Sequence, residues 1–464
     1  MKHKILSSAV ALLAVGCVLV PGVARAESPQ DDSGYLFNLS GIGSNFGQKA
    51  SAAGVNFIAS SSIENETIVA GGTKNGNLSG GNYTQGLSFF GADVNLEPSL
   101  GVDGHIIAMV DSQFGVTNNG QLVRSDSQFT PWTFGDYYAD LKELAYQQYL
   151  FNHRASILVG RVDPHFGLGG GFDSVAWDCE FGSEACGSAG ESSRDGQKAG
   201  YSGASWGGAA FVYLTPKITA QAGIYQFEPI LTTTTNNQGF SGSDFGLNQT
   251  SGAYLPMQVS YKSTFENSYL PSNYSLGGYI DTATFTNSFL NSKKQLFAEF
   301  GGSPQQVHRD SGIWLLAQQM VYRPNPDGED GLTLFATANI ATSPFQIFQN
   351  QFTVGEIYQG IIPQRPLDTF NMMFTDAQLN HDVADGTNFL LAKQHIPFHF
   401  SPNEYVFEVN YGVALAPGLT FRPYFQYIKN PDQLSTNNVF NEPSVTTVGV
   451  LLEINYASLL GLNG

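Results

Sequence analysis

Residues 448–456 alternate without a break between two kinds of side chain, and this pattern restricts the fold more than any other stretch. The members of one face are apolar and end in an aromatic ring: Val448, Val450, Leu452, Ile454 and Tyr456. The residues between them include Glu453 and Asn455. A period of two indicates a β-strand with two different faces. Such a strand fits a soluble sandwich that buries its apolar face. It also fits an outer-membrane barrel that turns this face towards lipid, with Tyr456 at the interface.

Four further segments alternate in the same way: residues 218–224, 255–261, 332–340 and 405–415. These runs of about 7–11 residues suit a tilted membrane strand better than the roughly five or six residues common in soluble strands. Long polar stretches at 164–200, 232–252, 359–401 and 430–444 alternate with short turns such as 416–418. This alternation of connections is typical of an outer-membrane barrel. The pattern therefore predicts an all-β fold, a transmembrane antiparallel up-and-down β-barrel.

The N-terminus predicts export. Lys2 and Lys4 flank the start of an apolar stretch at 5–20, and Ala24-Arg25-Ala26 has the small–x–small pattern of a cleavage site. We therefore expect residues 1–26 to be a signal peptide that is cleaved after Ala26. Beyond it, no stretch reaches the roughly 20 apolar residues that a membrane helix needs. The mature chain is then either soluble outside the inner membrane or inserted in the outer membrane as strands.

The charge of the chain argues against nucleic acid as a partner. Loss of the signal removes Lys2, Lys4 and Arg25 from the 21 basic residues and no acidic one, so 18 basic residues face 39 acidic residues. A nucleic-acid surface needs the opposite balance. Only 13% of the residues are charged, against ~25% in ordinary soluble domains. These values suit a surface that is partly in contact with lipid, and they also suit a secreted β protein that binds glycans.

Two cysteines remain once Cys17 has left with the signal. Cys179 and Cys186 lie close together in the sequence, in a chain that is expected to reach an oxidising compartment. This predicts a disulfide that closes a small loop. No His and no third Cys lies nearby at the spacing of a zinc site, so we expect no metal and no cofactor.

Two motifs that would indicate other chemistry lack their context. The sequence GASWG at 203–207 matches the nucleophile elbow of esterases, but that motif needs a strand–turn–helix unit in an α/β sheet. The acidic turn 327–331 lacks the spaced ligands of a calcium loop. We therefore expect a protein that is not an enzyme, with a barrel lipase or protease of the outer membrane as an alternative function.

Several segments, taken in order, resemble the carbohydrate-selective porin family of the outer-membrane porin B type. They are QKASAAGVNFI at 48–58, NLSGGN at 77–82, QGLSFFGADVNLE at 85–97, LKELAYQQYLFNHRASILVGR at 141–161, the loop around Cys179 and Cys186, AQAGIYQFE at 220–228, YQGIIPQRPLDT at 358–369 and LAPGLTFRPYFQYIKNP at 415–431. The stretch at 358–369 is the most distinctive. The chain departs from the family where Asn45-Phe46-Gly47 stands for a Trp-Gly-Gly, and where it continues beyond Tyr456.

The resemblance implies a barrel of sixteen strands whose inward-folded loops form a constriction, and passive diffusion of monosaccharides such as glucose into the periplasm. It implies a bacterial outer-membrane location, with sugars, membrane lipid and the outer-membrane assembly machinery as partners and a possible homo-oligomer. We expect a signal peptide at 1–26 and a periplasmic or plug-like segment at 27–82 that leads into the first strand. The barrel is expected at 83–456 and a C-terminal extension at 457–464.

A sugar channel needs hydrogen-bonding groups that replace water around hydroxyl groups, together with aromatic faces for the sugar rings. The segment 161–206 is the richest source of both. Its candidates are Arg161, Asp163, His165, Asp173, Trp177 and Glu180. From the match to the family, we expect this loop to fold into the barrel as the constriction. The alternative is a cap on the outer surface.

Strand periodicity adds candidates that face the lumen. Alternation predicts an inward position for Glu408, Asn410, Arg422, Tyr424, Gln426 and Glu453. We expect each of them to be general polar lining rather than a specific sugar ligand. Ile157 and Val159 predict that the odd-numbered face of their strand meets lipid, so Arg161 needs a bulge or the strand end to turn inward.

Overall fold

The structure is a computed structural model. It describes residues 34–37, 43–71, 82–115, 138–164, 171–172, 175, 180–183, 204–227, 250–343, 345–431 and 443–463. These residues form sixteen strands, each antiparallel to its neighbours, and the pairing of the first strand with the last closes them into one barrel. The predicted fold class is therefore confirmed.

Strands β1 to β8 are Val55–Ala70, Asn82–Asn95, Gly104–Gly115, Tyr138–Leu150, Ala155–Val162, Ser205–Thr215, Ile218–Phe227 and Gly252–Ser263. Strands β9 to β16 are Ser272–Asn291, Pro304–Tyr322, Gly331–Ala341, Phe348–Gln359, Thr369–Leu379, Asn403–Ala416, Leu419–Lys429 and Ser444–Asn455. The helices of the described residues are α1 Ser44–Ala52, α2 Glu97–Leu100, α3 Phe297–Phe300, α4 His381–Lys393 and α5 Tyr456–Leu459. None of these described helices is long and apolar enough to cross a membrane.

The alternating segments of the sequence lie in β7, β8, β11, β14 and β16. On β14 to β16 the outer face is apolar and exposed, as Phe407, Phe425 and Val448 illustrate. The inner face of β14 and β15 carries buried polar side chains, among them Glu408 and Gln426. This apolar-out, polar-in order is the one expected of a membrane barrel, because lipid rather than a protein core covers the outside.

The last strand ends one residue earlier than its alternation predicts. β16 stops at Asn455, and Tyr456 is the first residue of α5. The Asn455 side chain accepts a hydrogen bond from the backbone N–H of Ser458 at 3.0 Å. This is a helix N-cap, which favours the turn away from the strand direction.

The two ends of the barrel differ in their connections. At one end, here called the turn end, the joins are short, such as 216–217 between β6 and β7 and 417–418 between β14 and β15. At the other, here called the loop end, the joins are mostly longer. β9 and β10 are the longest described strands, with 20 and 19 residues. Helix α4 also lies at the loop end, where Leu391 packs with Phe348 and Phe400.

The structure corrects the expected start of the barrel from residue 83 to Val55. β1 pairs with both β2 and β16, so it is a full member of the closed sheet. Its sequence did not reveal it because the outer face of β1 is a mixture of apolar and polar residues. Asn65 of this face hydrogen-bonds the side chains of Asn82 and Thr84 at exposed positions. Because apolar residues such as Ile63 and Val69 share this face with Asn65 and Thr67, the strand shows no clean alternation.

The C-terminal extension folds back on the N-terminal part of the chain. The Asn463 side chain accepts a hydrogen bond from the Phe57 N–H at 2.7 Å and donates one to the Phe57 carbonyl at 2.9 Å. A Cβ at Gly47 of α1 would lie 2.2 Å from the carbonyl oxygen of Gly461, so only glycine allows this approach. The extension therefore fastens α1 and the start of β1 at the turn end.

Candidate functional site

A short piece of the connection between β5 and β6 lies inside the barrel. We call residues 180–183 the anchored segment. Its Phe181 is fully buried, and the ring meets that of Phe335 on β11 edge-on, with the centroids 5.6 Å apart. Further contacts of this segment reach inner-wall side chains of β1 and β13 to β15, among them Asn371, Glu408 and Arg422. The connection therefore folds into the lumen at this point.

Glu408 on β14 anchors the backbone of the segment. Its Oε1 accepts the N–H of Gly182 and its Oε2 accepts the N–H of Ser183, both at 2.9 Å. Gln426 and Asn410 donate their side-chain N–H groups to the same carboxylate at 2.8 and 2.9 Å. Four donors around one buried carboxylate supply the hydrogen bonds that stabilise its charge. Glu408 therefore holds the loop and does not face the open lumen.

Two asparagines on adjacent strands hold the backbone carbonyl of Glu180. Nδ2 of Asn410 lies 2.8 Å from this oxygen and Nδ2 of Asn371 lies 3.2 Å from it. Asn371 also donates to Oδ1 of Asn410 at 2.8 Å. The register of β13 and β14 places the two residues directly opposite each other. They therefore act as one paired donor towards the loop.

Arg422 on β15 links the loop to the wall by charge. Its Nη2 lies 2.8 Å from Oε2 of Glu180 and 2.9 Å from Oε2 of Glu453. The Arg422 side chain is only 3% exposed, against 31% for Glu180 and 13% for Glu453. The guanidinium is thus enclosed between two carboxylates. Glu180 is the member of this group that reaches open space in the lumen.

Tyr424 and Glu64 close the space beneath Gly182. The Tyr424 hydroxyl donates to Oε1 of Glu64 at 2.5 Å, and Gln85 donates to Oε2 at 2.6 Å. A Cβ at Gly182 would lie 3.0 Å from the Tyr424 ring and 3.1 Å from Glu64 Oε1. A side chain at this position would push the segment away from the wall. Because Glu64 lies on β1, the site also includes the closing strand of the barrel.

Another piece of the same connection contacts the far wall. Phe172 is fully buried, and its ring meets Tyr225 of β7 edge-on at 6.2 Å between centroids. Tyr225 continues a row of rings to Tyr254 of β8 and Tyr279 of β9, at 6.3 and 5.6 Å. In the closed order of strands, β7 lies nearly opposite β14 and β15. The described residues of this connection therefore touch both sides of the lumen.

A buried ion pair lies where the connection leaves β5. Nζ of Lys142 is 2.5 Å from Oδ2 of Asp163, and both side chains are almost completely buried. Met109 pairs with Glu143 and the next residue of β3 pairs with Leu141, so Lys142 is the extra residue of a bulge. A bulge re-aims side chains. It explains why Lys142 and Glu143, although consecutive, are both buried.

Arg161 is part of the wall near the end of β5. In the register it lies beside Leu144 and Trp206, on the same face as the exposed Ile157. Its side chain is nevertheless buried, and its Nε donates to the carbonyl of Leu141 at 3.3 Å. Ile157 is therefore exposed on the outer face, as expected for this strand. Arg161, on the same face, is enclosed by its neighbours.

Most of the residues that were predicted to line the lumen have buried side chains in the structure. Asp163, Glu408, Asn410, Arg422, Tyr424 and Gln426 are buried side chains. The physical reason is that loop backbone groups and wall partners occupy the hydrogen-bonding groups that a lining would offer to water. Glu180 and Glu453 keep partial exposure. The predicted residues His165, Asp173, Trp177, Cys179 and Cys186 lie outside the described residues.

Sequence reasoning missed Glu64, Gln85, Lys142 and Asn371. Lys142 depends on a bulge, and Glu64 lies on the strand without alternation. Asn371 had a usable signal, because β13 alternates between Phe370, Met372 and Phe374 on one face and Asn371 on the other. Its pairing with Asn410 still required the register of two strands far apart in the sequence.

The distinctive stretch 358–369 forms a turn at the turn end. Nε and Nη2 of Arg365 lie 2.9 and 2.6 Å from the carboxylate oxygens of Asp368. Asp368 also accepts the Tyr411 hydroxyl and the Ala414 N–H of β14, at 2.9 and 3.0 Å. The hydrogen bond and charge of Asp368 raise the pKa of Arg365 above its usual value. This motif therefore fastens β12 and β13 to β14 and does not line the lumen.

The partly exposed groups can exchange hydrogen bonds with a polar solute. Glu180 and Glu453 are acceptors, and Arg422 between them fixes their positions. Within the described ranges, no group of three or more His, Cys, Asp or Glu side chains is placed to hold a metal ion. Glu180, Arg422 and Glu453 themselves offer hydrogen bonding and charge at this position.

Comparison with known proteins agrees with the resemblance seen in the motifs. Residues 80–450 match the family described as carbohydrate-selective porin, OprB family. Porin B of Pseudomonas aeruginosa is 29% identical over 286 residues, which cover 59% of this chain and 61% of that protein. That match thus spans less than two thirds of the relative's length.

Solved structures agree at the level of the fold. Pseudomonas putida OprB at high pH superposes with a TM-score of 0.75 and 22% identity, covering 88% of this chain and 95% of that one. The same protein at low pH gives a TM-score of 0.50 and 17% identity over the same shares. The family match extends over most of the chain, and the family is one of porins, which are channels rather than enzymes. The chain belongs to the carbohydrate-selective porin family of the bacterial outer membrane.

Proposed function

We propose that this porin is a passive channel through which monosaccharides such as glucose cross the outer membrane into the periplasm. The observation that carries the proposal is the pair of hydrogen bonds that the Glu408 carboxylate accepts from the backbone N–H groups of Gly182 and Ser183. It holds part of a long loop inside the lumen. A fixed obstacle reduces the free cross-section, and a reduced cross-section favours single sugar rings over linked ones.

The proposed path passes the anchored segment on its exposed side. Glu180 supplies acceptor oxygens there, and Arg422 and Glu453 hold its carboxylate in place. We further propose that Arg161, Asp163, His165, Asp173 and Trp177 shape the same constriction. In this role Trp177 would offer an aromatic face to a sugar ring. Diffusion through such a path needs no cofactor and no energy source.

The turn end is proposed to face the periplasm, because short turns do so in barrels of this type. Insertion by the outer-membrane assembly machinery, a homo-oligomeric state, cleavage after Ala26 and a disulfide between Cys179 and Cys186 belong to the same proposal. Intact mass measurement of the exported protein, before and after reduction and alkylation, tests the last two.

Liposome swelling tests the function. Vesicles that contain the purified protein should swell faster in glucose than in an equimolar disaccharide, and empty vesicles should swell in neither. Swelling in glucose no faster than that of empty vesicles would end the proposal. Equal swelling rates for glucose and the disaccharide would contradict the proposal that the channel favours single sugar rings over linked ones.

A further inference from the structure

The outer wall of the barrel carries a depression of about 580 Å³ on the side of β10 to β14. Its lining on the outer face includes Ala317, Gln319, Leu334, Val354, Glu356 and Met372. Gln319 and Glu356 are the polar members of this set, and the amide of Gln319 is already hydrogen-bonded to the Tyr274 hydroxyl and to the Met320 carbonyl. Because the chain is an outer-membrane barrel, this face meets lipid.

Neighbouring small side chains produce the depression. The register places Ala317, Ala336 and Val354 side by side on β10, β11 and β12. The same row continues into Phe374 and Phe407 on β13 and β14. The row thus rises from two alanines through a valine to two phenylalanines, which leaves a low floor beside a high wall. A floor of this kind fits a flexible hydrocarbon chain, which can fill an irregular apolar space.

Glu356, the acidic residue of the lining, lies near one end of this depression. Glu356 pairs with Leu334 and Met372, which places it on the outer face. Tyr358, two residues closer to the turn end, shares that face and pairs with Phe370. Glu356 is thus one layer inside an aromatic layer of the kind that marks the membrane interface. None of the described residues forms a hydrogen bond or an ion pair with its carboxylate.

We propose that this depression binds a phospholipid whose head group ends in a primary ammonium, as in phosphatidylethanolamine. One acyl chain would lie on the alanine floor, and the ammonium would meet the Glu356 carboxylate. The charges are complementary, and an ammonium with three N–H donors can also form hydrogen bonds to the carboxylate oxygens. A choline head group has the charge without the donors, and a glycerol head group leaves the lipid anionic. Neither of these two lipids matches the site as well.

The proposal does not depend on which solute passes through the lumen. The carboxylate lies at an interface, where exposed ion pairs contribute modestly, so we expect an effect of roughly fivefold on lipid retention. The order of retention should be ethanolamine, then choline, then glycerol head groups.

Native mass spectrometry of the full protein, released from detergent with lipids of identical acyl chains, measures this retention. Phosphatidylethanolamine should remain bound about fivefold more than phosphatidylglycerol. Glu356→Gln should lower the phosphatidylethanolamine value to that of phosphatidylglycerol. The matched control is Asp376→Asn on the outer face near the loop end, where Gln378 and Asn403 already donate to the carboxylate. It should retain lipid as the native protein does.

A second variant, Ala336→Phe, tests the apolar floor independently, so that the proposal can still be tested if Glu356→Gln does not fold. Ala336→Phe should reduce retention of all three lipids, and a heat-modified gel shift reports whether each barrel has folded. Equal retention of phosphatidylethanolamine and phosphatidylglycerol by the native protein would overturn the proposal. So would unchanged retention in folded Glu356→Gln. A dimer mass that Ala336→Phe abolishes would assign the depression to a second copy of the chain and likewise overturn it.

Discussion

Replacement of Glu408 by glutamine tests whether one carboxylate sets the aperture of the channel. In Glu408→Gln, one acceptor oxygen becomes an amide that donates. Each oxygen accepts one backbone N–H of the anchored segment and one wall amide, so at least two of the four hydrogen bonds are lost. Hydrogen bonds to a charged group contribute ~1.5–3 kcal/mol each. Only one of the two lost bonds goes to the anchored segment, and the other goes to a wall amide, so anchoring should weaken by about 1.5–3 kcal/mol.

Because each ~1.4 kcal/mol is a factor of ten, the released form should gain at least about tenfold relative to the anchored form. In planar bilayers we expect a larger or less steady single-channel conductance. In liposome swelling the ratio of disaccharide to glucose rates should rise. Glu356→Gln is the matched control, since it makes the same chemical change on the outer wall. A folded Glu408→Gln protein with native conductance and native rate ratio would refute the reasoning.

Three further substitutions have definite expected outcomes. Arg422→Met leaves the largely buried Glu453 and the partly exposed Glu180 without their charged partner, so the free energy of unfolding in vesicles should fall by about 3 kcal/mol in urea titration, and by less for Arg422→Lys. Gly182→Val crowds the Tyr424 ring at a cost of ~1–3 kcal/mol, and it should raise conductance in the same direction as Glu408→Gln. Asn463→Ala removes two hydrogen bonds from the Phe57 backbone, worth ~0.5–1.5 kcal/mol each, and should speed amide hydrogen exchange at the start of β1 without changing conductance.

The strands that could be predicted are those whose outer face is largely apolar. β7, β8, β11, β14 and β16 alternate because the outer face must be apolar while the inner face meets polar groups. β1 escaped prediction because Asn65 and its neighbours make polar contacts on the outer face. The position of the last strand was predictable, but its end was not, since the Asn455 cap is a local hydrogen bond that alternation does not encode.

The site was predictable in its residue types and not in its geometry. Periodicity predicted an inward direction for Glu408, Asn410 and Arg422, which is a property of each strand taken alone. The groups around them are on other elements: Gly182, which donates to Glu408, lies in a distant loop, and Glu64, which accepts from the neighbouring Tyr424, lies on the first strand. Only closure of the barrel brings these together. The expected lining therefore proved to be mostly a buried wall that holds the loop.

The most direct measurement is the effect of sugars on ion current through single channels. If the anchored segment forms a constriction where a monosaccharide replaces water, glucose should reduce the current with a saturating dependence on concentration. A disaccharide should reduce it less, because it enters the constriction less readily. In Glu408→Gln the glucose effect should weaken. A current that glucose changes only as much as viscosity requires, equally in both proteins, would contradict the account.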